Sequence, residues 1–267
     1  MASGTLVANV KPLVLWQFKY SHYSEKARWG LDYKQLAHTR RSLVPGTHIA
    51  PLLWKTGQRQ VPVLELGDGE YITGSGSILT KLEELAPAPR LLPADRGDRD
   101  RALALAEDFD RHLGPALRIA WFDLLLEDPQ YVASQLSVGF GAIEQSLFQA
   151  TFALTRRVMA FELGIDARRG KQARAEVLAL LDELEETIGI AGYLVGSAFS
   201  LADLTAAALW SPLVMPSQFP YPLLRPLPAA AEQWRAELLD RPGLRWVGEI
   251  YRRHRGSSAE VAAGRPA

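Results

Sequence analysis

Three prolines within seven residues, Pro87, Pro89 and Pro93, divide this 267-residue chain into parts of different character. Proline fixes φ, lacks an N–H and restricts the residue ahead of it, so neither a helix nor a sheet runs through such a segment. Before it, short apolar runs alternate with helical spacing; after it, helical spacing is the only period. We therefore expect an α/β unit at residues 10–86, a linker at 87–97, an all-helical domain at 98–255 and a disordered tail at 256–267.

Within the first unit, residues 12–18 have the length and apolarity of a buried strand, and a helical pattern begins at Ser24. Residues 40–44 read as a second strand before a turn at Pro45-Gly46. Residues 61–66 and 70–73 flank Gly67-Asp68-Gly69 as a hairpin, and a helix follows over 75–85. The stretch Gln60-Val61-Pro62 is chemically suggestive. A proline opening a strand cannot donate to the ladder, so the Val61 backbone is left able to pair with an extended ligand. Ser75, at or next to a helix N-cap, stands where free N–H groups and the positive end of the dipole favour a carboxylate or phosphate.

In the second part, helical spacing covers 100–126, 144–163, 172–188 and 201–209, and then 229–254 with a break at Arg241-Pro242-Gly243. A proline-rich excursion from Pro212 ends the fourth of these. Ser200 and Asp203 are spaced to cap that helix's start. Trp121 and Phe122 suit either core or a pocket facing the α/β unit. Arg111 and Arg118, seven residues apart, share a helix face and suit either an anionic substrate or solvated salt bridges.

Thirty basic residues balance thirty acidic ones, which gives no broad attraction to nucleic acid or an anionic membrane. The cluster Arg252-Arg253-His254-Arg255 reads as a solvated helix end. There is no cysteine, which excludes disulfides, thiolate metal sites and any protein thiol relay. No run approaches the length of a membrane span and no signal pattern opens the chain, so a cytoplasmic protein is expected. His22 and Glu25 lack further metal ligands and read as surface residues; no metal site is expected.

The order strand, helix, strand, loop, hairpin, helix, followed by helices alone, combines with four motifs to resemble the cytosolic glutathione transferases over residues 12–250. The motifs are Ser21-His22-Tyr23-Ser24 ahead of a helix, Val61-Pro62, the run from Ile72 through Gly74-Ser75 to Ile78, and Gly192 to Asp203. The resemblance implies a thioredoxin-like N-terminal domain joined to an all-helical one. It implies glutathione as co-substrate, a small-molecule electrophile as substrate, a detoxifying transferase activity, and a homodimer.

Carried over residue by residue, the resemblance puts Ser21 at the glutathione sulfur, with Tyr20 and Ser24 as alternatives. It puts Gln60, Val61 and Pro62 beside the glutathione backbone, Gly74 and Ser75 at the γ-glutamyl end, and Tyr20, Tyr23, Arg118, Trp121 and Phe122 around the electrophile. Lys55, Gln58 and Gln60 are the candidates for the glycyl carboxylate. A hydroxyl about 3 Å from sulfur would stabilise the reactive thiolate without a general base. The chain departs from the family at Gly74, where an acid or amide side chain is usual. An isomerase, a dehalogenase-like enzyme, and a scaffold that no longer uses glutathione are the alternatives.

Overall fold

The computed structural model describes residues 13–262, so residue 12 of the first expected strand and residues 263–267 of the expected tail lie outside the described residues. The α/β unit comprises β1 (Leu13–Gln17), α1 (His22–Tyr33), β2 (His38–Ser42), α2 (Ile49–Thr56), β3 (Val63–Glu65), β4 (Tyr71–Thr73) and α3 (Ser75–Leu85). Its sheet has the order β2-β1-β3-β4, with β2 parallel to β1, β3 antiparallel to β1 and β4 antiparallel to β3. The helical part comprises α4 (Arg96–Asp108), a π-helical turn (Phe109–Leu113), α5 (Gly114–Leu125), α6 (Pro129–Leu136), α7 (Ala142–Leu163), α8 (Ala167–Thr187), α9 (Leu201–Val214), α10 (Ala229–Leu238) and α11 (Pro242–His254). This is a thioredoxin-like domain followed by an all-helical one.

Burial explains the arrangement of α1. Every residue from Ser24 to Asp32 is buried, because α1 packs on α3 and on α9. Helix α9 is buried all round from Leu201 to Leu209, with only Asp203 and Thr205 polar among them, as befits a helix at the centre of a domain. One main core unites both parts, and a small second cluster of Trp16, Leu52 and Val63 lies on the other face of the sheet.

Several boundaries differ from the sequence reading for identifiable reasons. Helix α1 begins at His22, because Ser21 caps it: its Oγ accepts from the Ser24 N–H at 3.3 Å. Ser24 lies inside the first turn, where its Oγ accepts from the Phe18 N–H. The stretch 47–60, read as loop, contains α2, whose Pro51 falls in the first turn, where a missing N–H costs no helical bond. Helix α9 continues through Pro212 to Val214; the Arg235 Nε donates to the Leu213 carbonyl at 2.7 Å, so the end of the helix is satisfied from α10. Asp203 holds the other end, accepting from the Ser200 N–H and the Leu194 N–H, both at 2.8 Å.

The expected disordered tail is corrected for residues 256–262. The Ala259 carbonyl accepts from the His38 N–H, and the His38 carbonyl accepts from the Val261 N–H at 2.9 Å, extending the sheet at β2. The anchor is Asp32, buried on α1, whose Oδ1 accepts from the Ala259 N–H at 2.8 Å.

Candidate active site

The three segments singled out in the sequence meet at one end of the sheet. Trp16 pairs with Val63, so the end of β1 and the residues just before β3 lie side by side. The Pro62 carbonyl accepts from the Gly74 N–H at 3.0 Å, which ties the start of α3 to the same place. The β1–α1 turn with Ser21, the Val61-Pro62 segment and the first turn of α3 therefore form one contiguous rim.

Each contributes unspent hydrogen-bonding capacity. Ser21 uses an Oγ lone pair for the cap, which leaves its O–H free to donate. The Val61-Pro62 bond is cis, and no backbone hydrogen bond reaches Val61 among the described residues. Gly74 is the N-cap of α3, with φ +84, a region where a side chain is strained, and it supplies no side-chain cap. No side chain caps the first turn of α3, where Ser75 is buried. Gln60 is already engaged: its carbonyl accepts from Gln58 Nε2 at 2.9 Å and its N–H donates to the Gln58 side chain. Lys55 donates to the Tyr71 hydroxyl at 2.9 Å and lies over the Trp16 ring.

Next to the turn, a cavity of about 420 Å³ is lined by Tyr20, Trp121, Phe122, Leu125, Tyr131 and Met215, among others. Its apolar wall and single turn-borne tyrosine suit a small hydrophobic molecule. Burial raises the pKa of Tyr20, and pushes Tyr131 up to about 12, so both phenols stay protonated at neutral pH. A larger groove of about 680 Å³ lies between α6 and α7, away from the rim, and is open and bordered by Arg156 and Arg157. The chemistry belongs to the smaller cavity, which alone of the two touches the β1–α1 turn.

Tyr23 and Arg118, expected around the electrophile, are not among the residues that line this cavity. The Tyr23 hydroxyl donates to the Asp110 carbonyl at 2.8 Å, and burial raises its pKa to about 12. Tyr23 packs so closely on Gly114 that a Cβ there would lie 1.9 Å from the hydroxyl oxygen; only glycine fits at this junction. Arg118 lies one helical turn before Phe122 on the same face of α5. It makes no ion pair among the described residues, and its buried Nε has no hydrogen-bond partner. Arg111 is salt-bridged to the exposed Glu107.

Three surface expectations are corrected. His22 is buried, and desolvation, with the charge of Arg118, lowers its pKa to about 3; no metal-binding cluster forms among the described residues. Glu25 is fully buried and accepts from Arg28 Nε and Arg255 Nε, each at 2.7 Å. Arg255, expected as part of a solvated helix end, is buried between Glu25 and Asp32, whereas Arg252 and Arg253 do pair with Glu249 at the surface.

Asp110 is a residue that sequence reasoning missed. It belongs to the π-helical turn, whose widened backbone turns its carboxylate toward α1 and α3, where Oδ2 accepts from Lys26 Nζ at 2.6 Å. Such turns recur at functional sites, but no residue pattern announces one.

No helix of the described residues is long and apolar enough to cross a membrane. Residues 15–90 match the family model for the N-terminal domain of glutathione S-transferase, and residues 148–242 match that for its C-terminal domain. No curated protein matches the sequence. Among solved structures, a beta-etherase from Sphingobium sp. strain SYK-6 is 21% identical with a TM-score of 0.57, over 89% of this chain and 98% of that one. A maleylacetoacetate isomerase from Anaeromyxobacter dehalogenans 2CP-1 is 24% identical with a TM-score of 0.54, over 90% and 85%. A theta class glutathione S-transferase from Xanthomonas axonopodis pv. citri, solved with glutathione bound, is 18% identical with a TM-score of 0.54, over 87% and 95%.

Proposed function

We propose that this chain, which belongs to the glutathione S-transferase superfamily, binds glutathione along the rim described above and adds its thiolate to a small hydrophobic electrophile. The observation that carries this reading is the convergence of three unspent groups at one end of the sheet: the Ser21 hydroxyl, the Val61 backbone and the first turn of α3 with Ser75.

Glutathione is a short peptide with a carboxylate at each end and a thiol between them. Its central residue pairs with Val61 as an added strand, its γ-glutamyl carboxylate lies on the N-terminus of α3, and its sulfur falls beside Ser21. The Ser21 O–H donates to sulfur, and the start of α1 adds its positive end, so the thiolate is favoured over the thiol. Tyr20, Trp121 and Phe122 then hold the electrophile in the adjoining cavity. In this reading the protein works in the cytoplasm as a homodimer, which sedimentation equilibrium checks.

A second reading, a scaffold that has lost glutathione, is favoured by one observation: Gly74 offers no side chain to the ligand's ammonium group. Isothermal titration with glutathione decides between them. Binding below millimolar concentration supports the enzyme, and its absence defeats every glutathione-dependent reading. With binding established, Ser21→Ala is expected to raise the pKa of the bound thiol by about one unit, followed as thiolate absorbance, and to slow transfer about tenfold. Unchanged absorbance and rate would move the sulfur contact to another residue. Transfer to an aryl halide, measured against isomerisation of a cis-olefinic diacid, separates transferase from isomerase.

A further inference from the structure

We infer that the outward face of α7 is an interface between two copies of this chain, in which the two α7 helices lie antiparallel. This surface takes no part in the rim or in the cavity beside it, whose lining includes no residue of α7, so the outcome of a glutathione titration leaves it untouched. Its first two large residues, Ile143 and Leu147, also precede the stretch that matches the family's C-terminal domain.

Helix α7 is apolar on two separate faces. At about 100° per residue, Phe148, Phe152 and Met159 fall within about 40° of one another and turn into the main core, with α6 as the principal neighbour. Ile143, Leu147, Leu154, Val158 and Phe161 fall on the other side, within about 60° of one another, and are 43–86% exposed. The fold supplies a partner for the first face only. A contiguous apolar stripe of this length marks a surface that another molecule covers.

The period of the stripe identifies the occupant as a helix. Leu147, Leu154 and Phe161 are seven residues apart, and Ile143 and the exposed Ala150 repeat four residues ahead of Leu147 and Leu154. These are the a and d positions of a coiled-coil seam, narrower than the roughly 100° stripe with which a helix settles on a domain core. The seam also matches itself when reversed about residue 152. In an antiparallel pair Ile143 meets Phe161, Leu147 meets Val158 and Ala150 meets Leu154, each twice, as a two-fold interface requires. A parallel pair would set Ala150 against Ala150 and leave a gap at the centre.

Charge and area agree with this register. The N-terminal half of α7 carries Glu144 as its one charge, and the C-terminal half carries Arg156 and Arg157 against Glu162. Antiparallel pairing therefore lays a net negative half on a net positive one and opposes the helix dipoles. Each large side chain of the stripe hides on the order of 100 Å² when covered, so the pair buries about 1,000 Å² before flanking residues are counted, which reaches the lower bound for a specific interface.

Sedimentation velocity of the full chain, from micromolar to submillimolar concentration, tests the surface. Wild type is expected to associate, and Leu154→Glu and Phe161→Glu each to raise the dissociation constant about tenfold or more, with the far-UV circular dichroism unchanged because both side chains are exposed. Gln172→Glu, at an exposed position of α8, should change nothing. Where copies also join by another face, the same two variants should halve the assembled mass. The chain has no cysteine, so single introduced cysteines take a nitroxide label cleanly. Labels at the exposed Thr151, near the midpoint, should lie within about 20 Å of each other, and labels at the exposed Ala142 about 30 Å apart or more. Equal distances at the two positions overturn the inference, as does association that both variants leave intact. A wild type that stays monomeric overturns it too, and if that monomer cosediments with vesicles of phosphatidylcholine and phosphatidylglycerol, the stripe belongs to a membrane surface instead.

Discussion

Neutralising Glu25 should unfold this protein more readily than any single surface change. Glu25 is wholly buried and is shared by two guanidiniums, accepting from Arg28 Nε and from Arg255 Nε. The neighbouring carboxylate, Asp32, already serves Arg255 at 2.9 Å and Arg40 at 2.8 Å. In Glu25→Gln the shape is kept and the charge is lost, so Arg28 is left without a carboxylate and Arg255 keeps only Asp32, which it shares with Arg40, while Glu260 reaches Arg40 at the edge. Arg28 suffers most. Its remaining side-chain acceptor is Gln17 Oε1 at 2.6 Å, one of its nitrogens is already unpartnered, and burial already pulls its pKa down. Arg255 is less exposed to the change, since burial opposes its charge but Glu25 and Asp32 together outweigh burial and hold its pKa up.

Breaking a buried ion pair from one side costs about 3–5 kcal/mol, against a total stability of roughly 5–15. For a chain of this size that corresponds to a fall in melting temperature of about 6–20 °C. The assay is urea and thermal unfolding of wild type and Glu25→Gln, with Glu249→Gln as the control. Glu249 holds Arg252 and Arg253 at the surface, where solvent screens the pairs, so the control should not move the midpoint measurably. A loss below about 1 kcal/mol in Glu25→Gln would show that water or a rearranged Arg28 relieves the charge, and would refute the reading of a dry network.

Three further outcomes are expected. His22 titrates near 3 in the folded state, because burial and then Arg118 disfavour its charge, and near 6.5 unfolded. Between those values the unfolded chain binds the extra proton, so stability falls as pH drops from about 6.5, by about 2 kcal/mol between pH 7 and pH 5; His22→Leu should flatten that slope in urea titrations. Truncation after Arg255 removes the Ala259 donor to the buried Asp32 and should cost about 1–3 kcal/mol, with faster hydrogen exchange at the His38 amide, whose acceptor is the Ala259 carbonyl. Arg118 makes no ion pair among the described residues and stands one helical turn from the cavity-lining Phe122, so Arg118→Gln should lower kcat/KM for a carboxylate-bearing aryl halide about tenfold and leave the neutral ester nearly unchanged. Equal loss on both substrates would assign Arg118 to packing around His22.

What the sequence reveals of this fold and what it hides divide by how local the cause is. Three prolines at 87, 89 and 93 separate the two parts because proline acts on its own backbone and its neighbours. The Ser21 turn, Val61-Pro62 and the Ser75 helix start were found for the same reason: each is a backbone position whose chemistry follows from a few adjacent residues. Helix α2 was missed because a proline in its first turn resembles a break, and α9 was stopped early at Pro212 because its terminal carbonyls are satisfied from α10, a donor no local pattern contains.

The charged residues show the limit most sharply. Glu25 and Arg255 read as solvated because charged side chains usually are, yet both are buried, and each is made tolerable by the other, 230 residues away. The tail from 256 reads as disordered, whereas its residues 256–262 are anchored by one such partner, Asp32. Asp110 follows the same rule: 84 residues separate it from Lys26, and only the fold brings both to the first turn of α3. In this chain the glycine at the start of α3 is visible from neighbouring residues, whereas the Lys26–Asp110 pair depends on tertiary contact.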